Sequence, residues 1–131
     1  MDGLWTVVDW VGRILFAIVF INSGIFHLKG HAHATGYAKS KGVPLAGLLV
    51  AVTGIQILVA PAMIVVGWHP IVGALLLVVF LLPTAFMMHN FWTITDPMQR
   101  SNDQVHFLKD LALAGAALLY AVALHRQGVP L

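Results

Sequence analysis

Four apolar runs dominate the chain, and polar stretches of very unequal length separate them. The first extends from about Trp5 to Leu28, the second from about Pro44 to Val66, the third from about Pro70 to Met88 and the fourth from about Val105 to Leu124. A helix needs roughly 20 mostly apolar residues to cross a hydrocarbon core of ~30 Å, and each run meets that length. The runs are continuous rather than alternating and too long for strands. A lipid-embedded backbone must satisfy its own polar groups, so the pattern predicts an all-α, integral membrane four-helix bundle spanning residues 1–131 as one transmembrane domain.

The connections sharpen this picture. Gly67 to His69 reads as a tight turn closed by Pro70. Lys29 to Val43 reads as a polar, basic loop. Asn90 to Gln104 reads as a second polar loop, with Asp96-Pro97 as a turn signal and Ser101-Asn102-Asp103 as a helix start. Asp2 and Asp9 stand where a signal peptide would be basic, so the first run is expected to be a retained helix. Trp5, Trp10 and Trp68 fall at one expected interface and Trp92 with Tyr37 at the other, as amphipathic rings favour the headgroup level. Four crossings place both termini on one side and both long loops on the other. The loop side carries Lys29, Lys39, Lys41 and Arg100, which predicts cytoplasmic loops and outward termini. Pro61 and Pro83 inside helices predict kinks, and the Ala112/Ala116 and Ala117/Ala121 spacings allow close helix approach.

Composition excludes whole classes of function. The 131 residues are 60% apolar and 9% charged, and Glu is absent. A soluble domain is about 25% charged, so a soluble globular domain, a disordered chain and a nucleic-acid binder are all excluded. The absence of Cys excludes disulfides, Cys-ligated metal and thiol chemistry by this chain. No nucleophile–base pair, phosphate loop or nucleotide-binding pattern is present.

Polar residues inside such segments are the candidates for chemistry. Arg13 lies about one turn inside the first helix; it can snorkel, pair with Asp9 at i,i+4, or face inward to hold an anionic or carbonyl ligand. Gln56 lies near mid-membrane, where an interhelical hydrogen bond is the plain alternative to ligand binding. His27 ends the first helix, His89 ends the third and His106 begins the fourth, so all three are expected in one layer on the loop side, with Lys109 one turn deeper. Imidazole can shuttle protons, ligate a metal or hydrogen-bond a quinone carbonyl. With no tight ligand spacing, no metal is expected.

Several strings resemble the DoxX family of small four-helix bacterial membrane proteins. They are Gly12-Arg13-Ile14-Leu15, Phe20-Ile21-Asn22-Ser23-Gly24, Tyr37, Gly42-Val43-Pro44, Gly54-Ile55-Gln56, His89-Asn90-Phe91-Trp92 and Phe107-Leu108-Lys109-Asp110-Leu111-Ala112. The resemblance implies a multi-pass protein of the bacterial inner membrane and a theme of quinone-linked redox chemistry, since relatives include a subunit of a thiosulfate:quinone oxidoreductase.

The reading that follows is an integral membrane subunit of a redox system that binds a quinone or anchors a quinone-linked oxidoreductase partner. Arg13, Gln56, His89, Trp92, His106 and Lys109 are the expected cofactor-binding residues; His and Lys would serve the quinone carbonyls inside an apolar cleft. The expected partners are the bilayer, other membrane or peripheral redox subunits and further copies of the chain. Two alternatives stand beside it: a structural accessory subunit without chemistry, and a haem-binding bundle using two of His27, His89 and His106.

Overall fold

The computed structural model describes residues 2–131 and shows five α-helices and one short 3-10 turn, with no strand among the described residues. The helices are α1 (Gly3–Lys29), α2 (His31–Ser40), α3 (Ala46–Val66), α4 (Pro70–Met88) and α5 (Pro97–Arg126), and the 3-10 turn spans Phe91–Thr93. All but α2 are long and apolar enough to cross a membrane. The expected all-α bundle of four spanning helices is therefore the fold.

The chain winds so that α1 packs on α3, α3 on α4 and α4 on α5. Phe20, Ile57, Ala60, Ile64, Ile71, Ala74, Leu77, Leu81, Ala114, Ala117 and Ala121 form the shared core. Glycines set the closest approaches. A Cβ on Gly24 would come within 2.6 Å of Leu58, and one on Gly54 within 2.9 Å of His27, so α1 and α3 cross at a glycine from each. A Cβ on Gly73 would lie 2.7 Å from the Ala60 carbonyl oxygen, which brings α4 equally close to α3. Without a hydrophobic drive between helices in lipid, such close backbone packing is what holds spanning helices together. Ala114, Ala117 and Ala121 face the core from α5, whereas Ala112 and Ala116 of the expected small-residue spacing face outward.

Two elements differ from the sequence expectation. The stretch expected as a polar loop from Lys29 to Val43 contains α2. Gly30 breaks α1, and the chain restarts as a short helix whose Ala34 and Ala38 bury against Ala46 and Val50, with Val43 and Met88 packed around them. Two alanines one turn apart give too weak an apolar stripe to be read in isolation; the tertiary contact with α3 makes the helix. His31 Nε2 lies 2.8 Å from the Gly47 carbonyl oxygen, to which it donates, and so ties α2 to α3.

The last helix begins at Pro97, about two turns before the expected Val105. Asp96 is its N-cap: the carboxylate accepts from the Gln99 N–H at 2.9 Å, and Pro97 occupies the first turn, where a missing N–H costs nothing. Asp96-Pro97 is thus a helix start rather than a loop turn. At 30 residues, α5 is ~45 Å long and outruns the hydrocarbon core. Its first turns project beyond the apolar layer.

The bundle has two distinct ends. The loop end gathers the C-terminus of α1, α2, the start of α3, the end of α4 and the start of α5. The terminal end gathers the start of α1, the α3–α4 turn and the end of α5. Gly67, at φ 74°, closes α3 in a conformation that glycine adopts without penalty, and the Trp68 N–H returns to the Met63 carbonyl at 3.0 Å. His69 Nδ1 donates to the Leu131 carbonyl oxygen at 2.9 Å, so the chain's last residues fold back onto this turn.

Candidate functional site

The loop end holds a connected group of charged and polar side chains. Helix α5 supplies Asp103, His106, Lys109 and Asp110, whose spacings of three, three and one place them on one face. Asp103 and Asp110 are buried, at 8% and 5% exposure. His89 follows directly after α4. Its carbonyl accepts from the Phe91 N–H at 2.8 Å, which folds the chain into the 3-10 turn and holds the imidazole against α5. Lys41, at the end of α2, reaches in from the other side.

The imidazole of His89 stands between the two carboxylates. Its Nδ1 is 3.8 Å from an Asp103 oxygen and its Nε2 is 3.8 Å from an Asp110 oxygen. Both separations exceed hydrogen-bond length and fall within direct charge–charge reach. Lys41 Nζ donates to Asn90 Oδ1 at 2.9 Å and lies 3.6 Å from Asp103. Lys109 Nζ lies 3.8 Å from Asp110 and 3.3 Å from His106 Nδ1. An ammonium can only donate, so His106 Nδ1 accepts and its ring proton sits on Nε2. The His106 ring stacks on His89, with centroids 5.1 Å apart and planes 24° from parallel. Two lysines and two aspartates therefore balance around a pair of imidazoles.

Tyr37 of α2 closes the group, its hydroxyl donating to the Met88 carbonyl at 3.3 Å. Burial, followed by the neighbouring Asp103 carboxylate, pushes the Tyr37 phenol above its ordinary value, so the ring remains a donor.

Beside this cluster stands an aromatic wall. Phe107 of α5 meets Phe86 edge-on at 5.2 Å, Phe91 at 5.5 Å and Trp92 at 5.6 Å. Phe86 and Trp92 are about half exposed on the outer face of the bundle, and His106 and Lys109 open to the same exterior. The arrangement joins a partly buried imidazole between acids to an outward-facing aromatic surface edged by two hydrogen-bonding groups. Such a group can hold and pass protons.

The six residues singled out by sequence do not converge on one pocket. His89, His106 and Lys109 come together, and Trp92 joins them through the aromatic wall. Gln56 lies elsewhere, mid-bundle, where its side-chain amide donates to the Leu76 carbonyl at 2.7 Å across the α3–α4 interface. Arg13 lies at the terminal end. Its Nη1 donates to the Ile64 carbonyl at 2.9 Å and its Nε stands 2.8 Å from the Asp9 carboxylate. The guanidinium thus caps the negative end of α3. His27 of the expected histidine layer donates from Nδ1 to the Ser23 carbonyl at 2.7 Å and meets Phe80 edge-on. It is occupied within its own helix rather than with the stacked His89–His106 pair.

Sequence reasoning missed Asp103, Asp110, Lys41, Asn90 and Tyr37 as site residues. The two aspartates carried a signal, because acids seven residues apart share a helix face in a segment otherwise poor in charge. Lys41 carried none: it counts as an ordinary loop charge until the fold turns α2 inward.

The family model described as DoxX matches residues 8–90 of the chain. That span includes Arg13, Tyr37, Lys41, Gln56, His89 and Asn90; the α5 half of the cluster lies beyond it. The chain is also 29% identical over 112 residues to the Inner membrane protein YphA of Escherichia coli (strain K12), covering 86% of this chain and 79% of the relative. No solved structure matches it. The four apolar helices and this relative support a multi-pass location in the bacterial inner membrane. With the family model covering more than half of its length, the chain belongs to the DoxX family.

Proposed function

We propose that the chain is a membrane subunit of a redox system and that its loop end serves a quinone. The observation that carries this reading is His89, set between Asp103 and Asp110 and stacked on His106 behind an aromatic wall. A quinone head is flat, apolar and edged by two carbonyls. The faces of Phe86, Trp92 and Phe107 suit the ring, and His106 Nε2 and Lys109 suit the carbonyls. Reducing a quinone to a quinol consumes two electrons and two protons. The electrons come from a partner subunit that carries a redox cofactor; the protons pass through His89 and its acids, which exchange them with the aqueous side at the projecting start of α5. In this reading the loop end faces the cytoplasm, following the excess of Lys and Arg there.

Arg13 and Gln56 are left out of this quinone site. Their placement gives them structural bonds far from the aromatic wall. The test is to isolate the native complex in mild detergent, extract and weigh its quinone, and titrate a short-chain benzoquinone against wild type and His89→Ala. The variant binds at least about tenfold more weakly, a loss of roughly 1.4 kcal/mol. Unchanged quinone content and affinity would leave an accessory subunit without chemistry as the better account.

A further inference from the structure

A second cleft lies at the opposite end of the bundle. Helices α1 and α5 are neighbours that do not pack closely, and between them runs a cavity of about 240 Å³ lined by Val8, Asp9, Gly12, Arg13, Phe16, Ile64, Ala116 and Tyr120. Its walls are mostly apolar, but a buried polar atom inside it, the Tyr120 hydroxyl, lacks a hydrogen-bond partner. A buried hydroxyl without a partner costs about 1–3 kcal/mol on mutational scales, so it marks a place where an acceptor would be stabilising.

We propose that this cleft is a binding site for the carbonyl group of an apolar, membrane-borne molecule. Three features select that chemistry. First, the guanidinium has five N–H groups, and the bond to the Ile64 carbonyl uses one of them. Donors remain, and Tyr120 adds another. Second, Asp9 stands 2.8 Å from Arg13 Nε and neutralises it. A carboxylate or phosphate entering the cleft would meet Asp9 at close range, whereas an uncharged carbonyl accepts from Arg13 and Tyr120 without opposing it. Third, the volume falls just below the roughly 300 Å³ at which drug-sized pockets begin, which suits one ring or one acyl segment rather than a large cofactor.

The same carbonyl chemistry is present in a quinone ring and in the acyl ester of a phospholipid. The site is independent of the loop-end quinone site, because its residues sit at the other end of the bundle and share none with it.

Infrared spectroscopy of the full chain in nanodiscs separates the two sources. In one arm the nanodisc lipid is a diether phosphatidylcholine, which lacks ester carbonyls, and the probe is decyl-benzoquinone carrying 13C carbonyls. In the other arm the probe is a diester phosphatidylcholine with 13C ester carbonyls and no quinone. Tyr120→Phe keeps the ring and removes the hydroxyl. Ala116→Phe keeps the hydroxyl and fills the cleft from an outward-facing position.

The expected result, in one arm, is a carbonyl band at lowered frequency in the wild type. Both variants lose at least half of its intensity there, while circular dichroism shows the helices intact. The arm in which this happens identifies the source. A band that neither variant changes in either arm overturns the proposal. So does a band lost in Tyr120→Phe but kept in Ala116→Phe, since a ligand in the cleft cannot survive its filling. The band of this cleft is the part that Tyr120→Phe removes; His89→Ala, run in parallel, leaves that part unchanged and lowers only the quinone signal of the loop end, which separates failure here from failure of the loop-end reading.

Discussion

At the loop end, charged and polar side chains from three separate elements meet: Lys41 beside α2, His89 after α4, and Asp103, Lys109 and Asp110 from α5. At the terminal end, one ion pair, Asp9 with Arg13, lies within a single helix at i,i+4 and is tied to α3 by one hydrogen bond. The first arrangement exists only in the folded bundle. The second half-forms whenever α1 is helical. Their consequences differ accordingly. A network that spans elements fixes their relative positions and strands its other members when one is removed, whereas a local pair leaves its neighbours able to turn to lipid headgroups or water.

Opening the network should cost the most stability. Asp103→Ala removes the buried acid that faces both Lys41 and His89 and leaves the partly buried Lys41 ammonium without a counter-charge. Breaking a buried pair from one side costs about 3–5 kcal/mol, and the lower end applies here because Lys41 keeps its bond to Asn90. Thermal unfolding in detergent measures it. A loss as small as that of a surface substitution would show that the cluster does not act as a unit.

Arg13→Ala should cost less, about 1–2 kcal/mol. It removes the α3 cap and an i,i+4 pair whose acid is about a third exposed. Arg13→Lys restores the charge but not the planar fork, so it recovers only part of the loss. The same unfolding experiment reads both variants. If Arg13→Ala proved as damaging as Asp103→Ala, the contrast between the two ends would fail.

Gln56→Leu should have the smallest effect, about 1 kcal/mol or less. Its single interhelical bond, to the Leu76 carbonyl, is of the kind that averages well under that value in membranes. It should leave short-chain benzoquinone affinity at its wild-type value, because Gln56 lies outside both ends. A tenfold weaker affinity would return Gln56 to the binding site.

The fold was largely legible because the signal for spanning helices is long and redundant. The tight turn at Gly67–His69 and the full extent of α4 follow directly from the glycine, the proline and the end of the apolar run. Helix α2 is hidden in the sequence because two buried alanines carry almost no hydrophobic signal, and α5 reads as starting late because its first two turns are polar. The site was half legible. Counting crossings groups His89, His106 and Lys109 and needs no side-chain information. In sequence Asp103 reads as part of a helix start and Lys41 as a loop charge, because only packing decides whether such residues face water or one another. Depth in the membrane groups Arg13 and Gln56 with the other polar residues but does not say which neighbour each side chain meets.

In the proposed site His89 and Asp110 act together in binding and protonating a quinone. A double-mutant cycle on short-chain benzoquinone affinity, using His89→Ala, Asp110→Asn and the pair, measures that coupling. Residues that act as a unit are strongly non-additive, so the double variant should bind about as weakly as His89→Ala alone, near a tenfold loss. Losses that simply multiply, or no loss in any of the three variants, would contradict it.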